Sequence, residues 1–177
     1  MPKKMTTDEK KAFISSELYH ELRCFLGSVT VWKAFSFTES GYDVVVAQDS
    51  VFLHARILFE FFTAKKDKES NTLRVTEFGP SKYTSNVYSN WKTPLNRHVL
   101  HLNVKRLTPI NIREKGHLNE QIPIFTEAVL RLWKQFENDP MSSDFHELLL
   151  EVRLRAITDA KNDTRNRIDP IFKPETK

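Results

Sequence analysis

Apolar residues recur at helical spacing along most of this chain. Near the N-terminus, Phe13, Leu18, Leu22, Phe25 and Leu26 fall on one face, which predicts a helix over 7–26. Thr7 is placed to cap it, and Asp8 and Glu9 suit its positive end. Gly27 permits a break, and 29–37 reads equally as a short helix or an extended link. Residues 42–63 are apolar almost all round, through Val44, Val45, Val46, Val51, Phe52, Leu53, Ile57, Leu58, Phe59, Phe61 and Phe62. That profile predicts a second helix at the centre of a bundle. Its polar members, Asp49, His54, Arg56 and Glu60, therefore carry the information, and Asp49, Arg56 and Glu60 share a face.

Between 64 and 91 the periodicity stops. Gly79-Pro80-Ser81 marks a turn, and a connection of this length is a candidate contact surface. Phe78, Tyr83, Tyr88 and Trp91, interleaved with Lys82 and Lys92, read either as pins that hold the loop to the bundle or as base-stacking platforms. Thr93 as cap and Pro94 in the first turn predict the start of a third helix, which Pro109 ends. A fourth helix is predicted over 120–137, with Asn119 as cap. A fifth begins at Ser142 or Ser143 and runs to about 163. The expected fold is all-α: an up-and-down bundle of about five helices, with one long loop between the second and third. Residues 1–163 form its single domain, and 164–177 are expected to be a partly disordered tail.

Composition supports a packed core, because 13 Phe in 177 residues supply a large apolar surface, while only 4 Gly argue against a turn-rich β protein and against glycine-rich phosphate loops. The single cysteine, Cys24, excludes an internal disulfide and a cysteine-rich zinc site, and its apolar context predicts a buried, inert thiol. No apolar leader or membrane-length run is present, so a cytoplasmic location with no membrane contact is expected. The net charge of +4 is unevenly distributed. Residues 92–115 hold six Lys/Arg against one Glu, whereas 116–160 hold four against eight Asp/Glu. The basic stretch is a candidate RNA or nucleotide surface, carried by Lys92, His98, Lys105 and Arg106.

No phosphate loop, nucleophile elbow, paired-histidine zinc helix or calcium loop is present, so neither a metal site nor a cofactor is expected. The constellation with chemical potential is Arg97, His98 and His101 on the third helix, opposed by Asp49, Arg56 and Glu60 on the second. Imidazole moves protons near neutral pH, and guanidinium holds phosphate. Together they suffice in principle for metal-independent RNA cleavage through the 2′-hydroxyl. In that reading His101 transfers the proton, Arg97 binds phosphate and Arg56 supports the charge. The competing reading is a buried polar network in which Arg56 pairs with Asp49 or Glu60 and removal of the cation strands a carboxylate.

Two blocks, Phe52-Leu-His-Ala-Arg-Ile-Leu-Phe-Glu-Phe-Phe62 and Leu95-Asn-Arg-His-Val-Leu-His-Leu-Asn-Val-Lys-Arg106, resemble the HEPN-like helical-bundle proteins of bacteria, over roughly 42–108. The resemblance implies a helical bundle that forms a homodimer. It also implies either a metal-independent ribonuclease of toxin–antitoxin or phage-defence systems, or a noncatalytic member that binds nucleotides or acts as a scaffold. The family's catalytic pattern is an Arg followed, after four to six positions, by His. Here Asn96 stands where Arg is expected, and Arg97 leaves three residues before His101. The alternative is a noncatalytic interaction module that uses the 64–91 loop as its contact surface.

Overall fold

The computed structural model describes residues 5–35, 42–64, 73–100 and 118–171. Among them there is no strand, and the helices form an all-α bundle. The first rod is continuous and has three parts: α1 (Thr7–Phe13), a π-helical segment (Ile14–Leu18) and α2 (Tyr19–Phe35). The second is α3 (Tyr42–Thr63), and the third is α4 (Asn86–Leu100). The fourth is α5 (Ile122–Asn138), entered through a 3-10 turn over Leu118–Gln121. A second such turn, Pro140–Phe145, leads into the fifth rod, α6 (His146–Ile171).

The first rod differs from its expectation at both ends. Thr6, not Thr7, is the cap: its hydroxyl accepts from Glu9 N–H at 3.2 Å, and Glu9 returns a carboxylate to Thr6 N–H at 2.7 Å. The helix passes through Gly27 and ends at Phe35, because the buried line Leu22, Phe25 and Val29 continues across the glycine. The π segment follows from spacing. Ile14, Leu18 and Leu22 are all buried and stand four apart, so they drift around a normal α-helix, and the slower winding of a π turn keeps them in line.

α3 has the bounds that its apolar run predicts. It packs against α2, α4 and α5, and so lies at the centre of the bundle. Phe52, Phe59 and Phe62 point inward and meet α5 edge-to-face. Phe52 and Phe59 contact Phe125 at 6.0 and 6.2 Å, and Phe62 contacts Trp133 at 6.2 Å. α5 buries a helical stripe, from Ile122 through Phe125, Val129, Leu132 and Trp133 to Phe136. The stripe ends in a charge. Glu137, only 6% exposed, accepts from Arg153 Nε at 2.7 Å and Nη2 at 3.1 Å. This bonding raises the Arg153 pKa further, against the opposing effect of burial. His146 Nδ1 donates to the Glu137 carbonyl at 2.7 Å, which fixes the corner between α5 and α6.

The described part of the long connection, from residue 73 on, is pinned to the bundle. A 3-10 turn over Val75–Phe78 buries Val75 and Phe78, and Phe78 packs against Phe61, Phe136 and Phe145. Gly79 follows at φ 120°, where a Cβ would strike the Met141 carbonyl. Tyr83 N–H donates to Phe62 O at 2.9 Å, and its hydroxyl donates to Asp139 at 3.0 Å. α4 then begins at Asn86, capped by Ser85, whose hydroxyl accepts from Tyr88 N–H at 3.2 Å. The expected start at Thr93 is therefore corrected. Pro94 lies inside the helix, and Tyr88 and Trp91 belong to α4 rather than to the loop. The expected end at Pro109 lies outside the described residues.

α6 continues to Ile171, beyond the expected end at 163. α2 packs against both α3 and α6, so the first and last rods are neighbours. Tyr19 donates to Asp159 at 2.5 Å, and Arg23 pairs with Asp163. That pairing raises the Arg23 pKa.

Candidate functional site

Among the described residues, one side of α3 carries a line of exposed apolar side chains. Val46, Leu53 and Ile57 are 47%, 36% and 37% exposed. At about 100° per residue they fall within about 40° of arc, so they form one line along the axis. α3 is central in the bundle, as its profile predicts, yet these three of its apolar residues are exposed.

Charges border the line on both sides. On the α4 side, Arg56 Nε donates to Glu60 Oε1 at 3.1 Å, and the Tyr88 hydroxyl donates to the same oxygen at 3.3 Å. Tyr88 also stacks on Phe59 at 5.2 Å. Burial, and then the Glu60 charge and hydrogen bond, push the Tyr88 phenol above its ordinary pKa. Arg56 is 18% exposed and lies against this cluster, as expected for a guanidinium on an apolar helix. Asp49 precedes Arg56 by seven residues, on the same flank.

On the α2 side, His54 Nδ1 donates to Glu21 at 2.7 Å, with the two side chains 13% and 23% exposed. The His20 ring meets His54 edge-on at 6.4 Å, and the Cys24 sulfur lies 3.6 Å from His20 Nε2. Cys24 is therefore half-buried beside an imidazole rather than enclosed in apolar surroundings. Sequence periodicity passed over His20 and Glu21 because one histidine and one acid on an amphipathic helix carry no pattern. Only the α2–α3 crossing brings them to His54. No group of His, Cys, Asp and Glu among the described residues is arranged to hold a metal ion.

The other sequence-predicted site residues divide by position. Lys92 is exposed on α4, with Nζ 6.0 Å from the centre of the Tyr88 ring. Arg97 and His98 lie on the backbone of α4. Tyr83 and Tyr88 bring the chain back beside the C-terminal end of α3, so α4 returns along it. Arg97, nine residues beyond Tyr88, lies about 13 Å further along the axis. His101, Lys105 and Arg106 lie outside the described residues. The aromatics of the connection, read as pins or stacking platforms, serve as pins: Phe78 and Tyr88 are buried, and Trp91 meets Phe125 at 5.7 Å.

No helix among the described residues is long and apolar enough to cross a membrane. Comparison with family models, with curated proteins and with solved structures found no match to the chain.

Proposed function

We propose that this chain is a noncatalytic helical interaction module whose contact surface is the outward face of α3. The observation that carries this reading is the line of Val46, Leu53 and Ile57, open along the central helix of the bundle. Single exposed aliphatic residues are ordinary, but three in register on one helix face, between ion-paired flanks, have the anatomy of a contact site. The charges beside them support the same reading. Arg56 and His54 are each held by a carboxylate of this chain, which rigidifies the flanks.

RNA cleavage by Arg97, His101 and Arg56, as the HEPN-like resemblance implies, is the rival. It loses ground at Arg56, the one member whose side-chain contacts are described, because Glu60 already engages that guanidinium.

Two measurements test the proposal. Purified protein incubated with total RNA, with and without chelator, should leave the RNA intact. Cleavage that survives chelation and disappears in His101→Ala would overturn the noncatalytic reading. The second measurement is the melting of Leu53→Lys at sub-micromolar concentration. A contact face open to solvent tolerates the charge within about 0.5 kcal/mol. A loss of several kcal/mol would mean that the line is core rather than surface.

A further inference from the structure

The exposed line on α3 offers a partner side chains and no backbone. From Val46 to Ile57 it spans about 16 Å, three turns of helix. No strand lies among the described residues, so they present no sheet edge to pair with an extended peptide. An extended segment laid on this line would bury N–H and C=O groups without partners, whereas a helix satisfies its own. The line therefore suits a helix with one apolar stripe.

The rim adds a charge requirement. Arg56 stands level with Ile57 on the α4 side and gives its Nε–H to Glu60. Its two Nη atoms have no hydrogen-bond partner among the described residues. Only Thr76 of those residues holds a buried side-chain polar atom left unpaired, so the Nη atoms reach solvent. Together they form a fork suited to a carboxylate. Two more cations stand around the same cluster. Lys92 Nζ lies 6.0 Å from the centre of the Tyr88 ring, and Arg74 immediately precedes the 3-10 turn that packs on α3. The Arg74 charge reaches the Tyr88 phenol, as that of Arg56 does, and both oppose the rise in its pKa. Against these cations Glu60 sets one carboxylate, through the oxygen that Arg56 and Tyr88 share. A nucleic-acid backbone repeats its charge along its length and would run against Asp49, Glu60 and Glu21 on the two rims. A single carboxylate needs only the fork.

We infer that the occupant of this face is an amphipathic helix of a partner protein, with aliphatic side chains against Val46, Leu53 and Ile57 and an acidic side chain at its edge taken by Arg56. The inference rests on the contact-face reading above and gives the partner its chemistry.

The probe is a displayed library of peptides of about 18 residues, long enough to cover the line, with leucine at alternating helical spacings and the flanking positions mixed among Glu, Gln and Lys. Selected on the whole chain, the survivors should carry Glu on one flank. Made as free peptides, they should bind at least about tenfold more weakly with Gln in place of that Glu. The difference should vanish on Arg56→Gln/Glu60→Gln, which removes the fork without stranding a carboxylate. If that variant melts below the binding temperature, Arg56→Lys, which keeps the charge and loses the fork, takes its place and should shrink the difference. No survivor should bind Leu53→Lys.

Survivors with neutral or basic flanks, or a Glu preference that persists without Arg56, overturn the acidic partner and keep the contact face. Survivors that bind Leu53→Lys as well as the parent overturn both. Self-association of the chain that Leu53→Lys abolishes puts a second copy on the face and overturns the helix partner. An empty selection also overturns it. In that case the contact face survives if Leu53→Lys melts like the parent protein, and falls with the helix partner if it melts lower.

Discussion

Arg56 illustrates what single residues disclose. A guanidinium on so apolar a helix has to be paired, and one turn onward stands Glu60, its partner at 3.1 Å. That pairing is legible because the penalty for an unpaired buried charge is large and local. The Glu137–Arg153 pair follows the same physics but is hidden in the sequence, because its partners sit 16 residues apart on different helices. Arg153→Ala should leave the Glu137 carboxylate buried without a cation and cost on the order of 3 kcal/mol in chemical denaturation. A loss below about 0.5 kcal/mol, the range of an ordinary surface substitution, would show the pair to be dispensable.

The two pinned tyrosines predict alkaline sensitivity. Burial and a neighbouring acid, Asp139 for Tyr83 and Glu60 for Tyr88, raise both phenols above the ordinary value of 10.0. The folded state thus keeps protons that the unfolded chain releases near pH 10. Their contribution is intact below pH 10 and lost as pH rises beyond it, at about 1 kcal/mol for Tyr88 by pH 11. A Tyr83→Phe/Tyr88→Phe double variant should show a flatter decline between pH 9 and 11, followed by urea unfolding, and an unchanged slope would remove the tyrosines from the explanation.

At the scale of elements, the apolar period located α3 at its observed bounds, because a long and strongly biased run leaves little choice. α4 was harder. Residues 86–92 are largely polar, and Thr93-Pro94 imitates a helix start, so only the packing of Tyr88 on Phe59 and of Trp91 on Phe125 makes the preceding two turns helical. Glycine misled in a similar way. Gly27 looks like a break, yet a Cβ there meets nothing within 4 Å. Gly27→Ala should therefore stabilise the protein by up to about 1 kcal/mol through better helix propensity. Gly79→Ala should do the reverse, because a positive φ and the Met141 carbonyl both oppose a side chain. A loss of at least about 1–3 kcal/mol is expected. Parallel melting curves of the two variants check both signs, and a neutral Gly79→Ala would show that the turn can rearrange.

For the whole molecule, fold class was legible and the exposed apolar line on α3 was not. Periodicity reports which residues are apolar, but the same Val, Leu and Ile serve a core and an interface equally well. Only the placement of α2 and α4 on either side of α3 separates Leu53 from Leu58, which is fully buried five residues later. The order of the rods carries a consequence in time. α2 is covered by α6, and the Tyr19–Asp159 and Arg23–Asp163 contacts each span 140 residues of chain. At about 5–20 residues per second, a ribosome needs roughly 10–30 s to deliver the second half of those contacts. Throughout that interval one side of the first rod is wet, although α3 has already arrived to cover the other. A chain stopped at residue 145 would be caught permanently in this state. It is expected to partition into the insoluble fraction while the full chain stays in solution, and adding a peptide of residues 146–171 during synthesis should return part of it to the supernatant. The later-made rod thus closes over the earlier-made one.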